Sequence, residues 1–289
     1  MSTGLASLLD VTPIETNVFI GQSEDLGFRN LFGGQVLGQS LVAAGRTVAP
    51  DRPAHSLHGY FLRAGDPREA VYYEVDLIRS GNSFSTRRVV AKQKGLAIFS
   101  MSASFQSPES GFDHQTSMPN VPGPEGIKSD LEHARSAKDE LPEPLRSKFT
   151  ADRAIEIRTI EQSFYGNVSK GLPIRHSWMR MVDPVPDDPL LHQALMAYAS
   201  DFGISMTALL PHGVSFLDHR LMLASLDHSM WFHRPTRCDD WHLYVKESPA
   251  AVSARGLNRG QIFSQDGKIV ASVAQEGLMR LKAERPPSS

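Results

Sequence analysis

The sequence predicts an α+β fold in which an antiparallel sheet wraps a long central helix, and it predicts that unit twice. Three observations carry this. Residues 106–144 form a proline-punctuated, apolar-poor stretch that splits the 289-residue chain into two halves. Each half holds one helix-periodic segment, and the two segments share a pattern at a constant offset. Each helix is followed by segments that alternate apolar and polar residues, and these recur too. Strands following one helix, rather than strand and helix in alternation, point to an antiparallel sheet.

In the first half Leu37, Leu41, Ala44 and Val48 fall at i, i+4, i+7 and i+11, one face of a helix. Gly38, Ser40, Ala43, Ala44 and Gly45 give that helix a slim profile suited to close wrapping by a curved sheet. Residues 60–63 (YFLR) and the run Phe99, Met101, Ala103, Phe105 follow as strands, with Ser100, Ser102 and Ser104 on the opposite face. Lys94-Gly95 is the turn before that last strand. In the second half Leu191, Leu195, Tyr198 and Phe202 repeat the helix face 154 residues on, and both helices read L-x-Q-x-L-x-A. Asp188 is the expected N-cap, Pro189 the first helical residue and Gly203 the stop. Residues 231–234 (WFHR) answer 60–63 at an offset of 171, and Asp266-Gly267 answers Lys94-Gly95 at 172. Ile269, Ala271, Val273, Gln275 and Met279 share a face of the final strand. The expected organisation is a first repeat in residues 1–107, a linker in 108–150, and a second repeat in 151–289. The linker should hold one short helix within 129–141, with Asp130 and Glu132 in its first turn.

Composition narrows the function. Lys and Arg number 30 against 32 Asp and Glu, a net charge of −2, so a nucleic-acid partner is not expected. The single cysteine, Cys238, excludes an intrachain disulfide and a thiolate-rich metal site. Apolar runs fall short of a membrane span, the first residues lack a basic leader, and RPPSS at the end is no peroxisomal signal. A cytoplasmic protein is expected. No nucleophile elbow, phosphate loop or zinc-protease motif occurs. Gly33-Gly34-x-x-x-Gly38 reads either as a flexible, closely packed helix entry or as a helix N-terminus that receives a carbonyl or phosphate oxygen. His233, Cys238, Asp239, Asp240 and His242 read as a polar loop with a surface histidine, and no metal is expected.

Three residues break the local pattern. Asp201 sits at the C-terminus of the second helix, where the macrodipole disfavours an anion by roughly 0.3–1 kcal/mol. It is either an exposed acid or a carboxylate of raised pKa suited to act as a base. Gln275 falls on the apolar face of the last strand, where an unpaired buried amide costs roughly 1–3 kcal/mol. Ser225 lies in an apolar strand. The offsets set these against Thr47, Ala103 and Ala54, so the first repeat has no base while the second has a carboxylate, an amide and a hydroxyl. One retained site in a duplicated chain produces that asymmetry.

The chain resembles the acyl-CoA thioesterase II family, the TesB-like enzymes with a double hot-dog fold. The resemblance rests on residues 21–27 (GQSEDLG), 31–36 (LFGGQV), 55–66 (HSLHGYFLRAGD), 79–89 (RSGNSFSTRRV), 198–201 (YASD), 227–235 (DHSMWFHRP), 253–256 (SARG) and 275–280 (QEGLMR). It implies hydrolysis of acyl-CoA to free acid and CoA, no cofactor, and a homodimer or homotetramer. It also implies a catalytic set of Asp201, Ser225 and Gln275, the hydroxyl position taking Thr or Ser. Asp201 is then the base for a water held by Ser225 and Gln275, with a Gly33-Gly34 N–H receiving the oxyanion. A thiol leaving group, with a pKa near 8.5 by analogy with Cys, needs no strong general acid. The acyl groove is expected near Phe32, Met196, Tyr198 and Met230. Arg79, Arg87, Arg88, Arg234, Arg255 and Arg259 are the cations considered for the CoA phosphates. The rival reading is a non-catalytic acyl-CoA-binding protein on the same frame. A hydratase would need an Asp/His pair, and neither His192 nor His228 shows the spacing for one.

Overall fold

The computed structural model describes residues 4–143, 145–161 and 169–282. Pro144 of the expected linker and the C-terminal residues 283–289 lie outside them. The chain opens with α1 (Leu5–Leu9), β1 (Thr12–Glu15) and β2 (Val18–Gly21), followed by the long α2 (Gly33–Gly45). Four strands complete this half: β3 (Ala54–Phe61), β4 (Val71–Ser80), β5 (Phe84–Gln93) and β6 (Leu96–Gln106). Two short helices follow, α3 (Asp130–Ser136) and α4 (Leu145–Phe149). The second half holds β7 (Ile155–Thr159), β8 (Ile174–Met181), α5 (Pro189–Ser200), a 3₁₀ segment over Ser205–His212, and then β9 (Leu221–Ser225) and β10 (Asp227–Phe232). It ends with β11 (His242–Val252), β12 (Arg255–Ser264) and β13 (Ile269–Leu281).

One antiparallel sheet runs β1-β2-β4-β5-β6-β3-β10-β13-β12-β11-β8-β7, with β9 also paired to β13. The halves meet at β3 and β10, where His58 lies opposite Ser229. The expected local signals operate as written. The Asp188 side chain accepts from Leu190 N at 2.9 Å, Pro189 opens α5, and Gly203 stops it at φ +70°. Lys94 and Gly95 both take positive φ, the hairpin geometry that matches the twist of β5 and β6. Phe99, Met101, Ala103 and Phe105 of β6 are buried, and their serine neighbours face outward. Both long helices end before the full apolar period, leaving Val48 and Phe202 beyond them.

The slim face of α2 is used differently from expectation. A Cβ on Gly38 would stand 2.9 Å from the Ala194 carbonyl, and one on Gly34 would collide with the Tyr198 carbonyl. The glycines therefore seat α5, packed antiparallel, while α2 also rests on β2, β4, β5 and β6. The linker is also more engaged than its composition suggested. Gln115 bonds the backbone of Gly267 and Ile269, and Met118, Val121 and Ile127 pack beside Trp178, Leu243 and Phe263. Widely spaced apolar residues suffice because an extended chain docks them one at a time. Ser129 and Glu132 form a reciprocal capping box that starts α3.

Candidate active site

Asp201 caps the C-terminus of α5, against the helix dipole. The antiparallel packing answers this by bringing the N-terminus of α2 to the same point. Gly34 N–H donates to Asp201 Oδ2 at 2.9 Å. Phe32, the N-cap of α2, offers no side-chain acceptor, so the carboxylate of the second repeat caps the helix of the first. A Cβ at Gly33 would lie 2.8 Å from the same oxygen, so glycine there gives the carboxylate room.

Gln275 is fully enclosed and fully bonded. Its Nε2 donates to Ser225 Oγ at 2.9 Å and to Ser205 Oγ at 2.8 Å, and its Oε1 meets His228 Nδ1. His228 Nε2 in turn meets Ser200 Oγ at 2.9 Å. Burial raises the Asp201 pKa above the ordinary carboxylate range, opposed by His228, Gln275, Gly34 and Ser225, which favour the charged form. Burial likewise lowers the pKa of His228, with Asp201 opposing it.

Asp201, Ser225 and Ser205 line a cavity of about 970 Å³ together with Phe32, Gly33 and Phe61. Gln275 and His228 stand behind this wall. The structure thus brings the three expected residues together, but Gln275 reaches the cavity through hydroxyls rather than directly. Further expectations change. The Gly34 N–H is bonded to the Asp201 carboxylate, so in the resting protein the α2 N-terminus faces that side chain rather than an open oxyanion position. Met196, Tyr198 and Met230 are core residues; of the expected groove only Phe32 lines the cavity, joined by Phe28, Phe149 and Phe216. None of the six arginines considered for phosphates lines it either. Arg88, Arg234, Arg255 and Arg259 pair with Asp76, Asp113, Glu276 and Glu247. The cations on the cavity wall are Arg29, Arg63, Arg135, Arg153 and Arg158. The supposed polar loop buries Cys238 and His242, the latter bonded to Thr236 and Asp240. An Asp/His neighbourhood does exist, in Asp201 and His228, but both ring nitrogens of His228 are occupied and it does not reach the cavity.

The registers tie the two repeats together residue by residue. Ala54 pairs with Phe105 as Ser225 pairs with Gly277. Leu57 pairs with Ala103, and one step beyond the Ser229–Ala274 pair lies His228 beside Gln275. Arg87 sits opposite Ala103 as Asn258 sits opposite Gln275. In the first repeat the buried Arg87 donates to Thr47 Oγ1 at 2.8 Å and Thr47 O at 3.0 Å, closing the place where a second site would stand.

A duplicated α+β chain with a desolvated carboxylate at the junction of its two central helices, opening on a long aromatic-lined cavity, is a double hot-dog protein of the acyl-thioester-processing class. Residues 144–278 match the family model described as acyl-CoA thioesterase, and residues 23–106 match that of the acyl-CoA thioesterase N-terminal domain. Acyl-CoA thioesterase 2 of Haemophilus influenzae is 44% identical over 276 residues, 96% of each chain. Acyl-coenzyme A thioesterase 8 of Homo sapiens is 39% identical, over 97% of this chain and 90% of that one. The crystal structure of acyl-CoA thioesterase II TesB2 from Mycobacterium marinum superposes with a TM-score of 0.76 at 40% identity, covering 97% of this chain and 98% of that one. The chain belongs to the acyl-CoA thioesterase family and is a thioester hydrolase.

Proposed function

We propose that this protein hydrolyses fatty acyl-CoA by direct attack of water, with Asp201 as base and Ser225 and Gln275 as the groups that set the water's position. The observation that carries this is the Asp201 carboxylate, desolvated on the cavity wall and bonded to Gly34 N–H at 2.9 Å. Desolvation makes it a better proton acceptor than an exposed acid. Ser225 holds a water by its hydroxyl, and Gln275 fixes that hydroxyl by donating to it. The same donation draws on the lone pairs of Ser225 Oγ, which suits the hydroxyl to holding a water more than to attacking the carbonyl itself. As the thioester carbonyl takes the hydroxide, the C–S bond breaks and CoA leaves as thiolate, with the water's proton on Asp201.

Thiol release from acyl-CoAs of graded chain length tests the reading. Ser225→Ala and Gln275→Leu should each lower kcat by about tenfold to a hundredfold with KM nearly unchanged, because they misplace the water rather than the substrate. Rapid-mixing traces should show no burst of thiol. A stoichiometric acyl adduct on Ser225, seen by mass, would sink the direct-water mechanism.

The repeat boundaries 1–107 and 151–289, with 108–150 between them, belong to this proposal. The segment between the two family-model matches contributes Ser129, Asp130, Leu131 and Glu132 to the cavity wall. A cytoplasmic location fits the single cysteine, and a role in fatty acid metabolism follows from the acyl-CoA substrate proposed above. Among the described residues no helix is long and apolar enough to cross a membrane. Homodimers or homotetramers are supported by exposed Tyr60 and Trp231 on the outer sheet face at the β3–β10 seam. Sedimentation at graded concentration reads the oligomeric state directly.

A further inference from the structure

His228 is a residue that the catalytic set leaves out. It is fully buried on β10, in a strand position that the first repeat fills with the fully buried Leu57. An imidazole replaces a leucine in the one repeat that carries the carboxylate. Its two nitrogens meet Gln275 Oε1 and Ser200 Oγ. Ser200 is the last residue of α5, next to Asp201.

The direction of the bonds gives the ring its purpose. Gln275 places its nitrogen toward two hydroxyls, Ser205 Oγ and Ser225 Oγ, which leaves its oxygen toward the ring. An oxygen needs a donor there, so the imidazole carries a proton on Nδ1. On the other side of the ring Nε2 meets Ser200 Oγ at 2.9 Å, a hydroxyl that itself donates to the Ala197 carbonyl at 2.8 Å. Donors therefore run outward from the ring: His228 Nδ1–H to Gln275 Oε1, and the Gln275 N–H groups to Ser225 and Ser205 on the cavity wall, with Gln275 and then Ser225 favouring the charged form of Asp201. Such a chain strengthens each of its members. Turned over, the Gln275 amide would present its oxygen to Ser205 and Ser225 and draw their protons inward.

We propose that His228 is a positioning residue for the hydrolysis, locking the Gln275 amide in the one orientation that turns its N–H groups toward Ser225 and Ser205 at the cavity wall. This rests on the assignment of Asp201, Ser225 and Gln275 given above. The titratable groups near the ring are Asp201 at the end of α5 and its chain neighbour Asp227. Neither displaces Gln275 from Nδ1.

Asparagine and glutamine separate this role from simple core packing. The amide of Asn falls near the Nδ1 position and keeps a donor for Gln275; that of Gln falls near Nε2 and keeps only the Ser200 contact. Both are buried amides of similar polarity. The expected result is that His228→Asn keeps kcat within a few-fold of wild type while His228→Gln loses about tenfold to a hundredfold, the cost of a misplaced reacting group, with KM little changed in either. Their melting temperatures should be alike. His228→Gln placed on Gln275→Leu should cost nothing further, because the ring acts through that amide. The proposal is overturned if the Asn and Gln variants lose kcat equally, if their losses follow their melting temperatures, or if the His228→Gln loss adds in full to that of Gln275→Leu. A wild-type protein that releases no thiol from any acyl-CoA would instead overturn the catalytic assignment itself.

Discussion

Asp201→Asn should lower kcat for thiol release by about 10²-fold or more while the protein stays folded and binds acyl-CoA with little change. The amide keeps an oxygen for the Gly34 N–H, so the junction of α2 and α5 survives, but it takes no proton. Its stability should hold or rise. Burial raises the pKa of this carboxyl above its value in the unfolded chain, so folding favours the protonated acid. That contribution is fully present below the unfolded value and is lost as pH rises through the raised one. Wherever the wild-type carboxyl is ionised it carries a charge held against burial that the asparagine removes, a trade of stability for activity common at active sites. The wild-type rate should fall on acidification at a pH above the ordinary carboxylate range, and that limb should vanish from the residual rate of the variant. Near-wild-type turnover of Asp201→Asn, or a melting temperature well below wild type, would contradict this account.

The sequence revealed what depends on neighbours along the chain. Asp188-Pro189 and Gly203 bracketed α5, and the serine alternation marked the outer face of β6, because caps and pleats are local devices. The repeat comparison went further and singled out Asp201, Ser225 and Gln275 as polar replacements of Thr47, Ala54 and Ala103. The structure places those three together. His228 carried the same signal through Leu57 at the offset of 171, and spacing rules for Asp/His pairs hid it. Ser205 carried no such signal, since it sits in a 3₁₀ segment outside the matched helix and strand patterns. The contact of Gly34 with Asp201 spans 167 residues and depends on how two helices pack, which periodicity does not encode. The cavity cations were missed for a related reason. Arg29, Arg63 and Arg135 stand on loops and on the linker helix, where no pattern points inward.

Gly34→Ala should strike stability and catalysis at once. The added Cβ would fall on the Tyr198 carbonyl and 2.5 Å from the Phe32 ring. A ring can turn, but a helix carbonyl cannot, so relief requires α2 and α5 to move apart. Overpacking of this kind costs roughly 1–3 kcal/mol or more. The same movement draws the Gly34 N–H away from Asp201 and withdraws the helix N-terminus that offsets the desolvated charge. Misplacement by about an ångström can cost on the order of a hundredfold in rate, so kcat should fall well beyond the loss of folded protein. Gly38→Ala is the matched control. Its Cβ would stand 2.9 Å from the Ala194 carbonyl, one turn further along the same helix pair and away from the carboxylate. It should lower the melting temperature yet leave kcat per folded molecule within a few-fold. Equal losses of kcat in the two variants would mean that the helix junction supports the fold alone. A loss confined to Gly34→Ala would show that the contact between the repeats is part of the base.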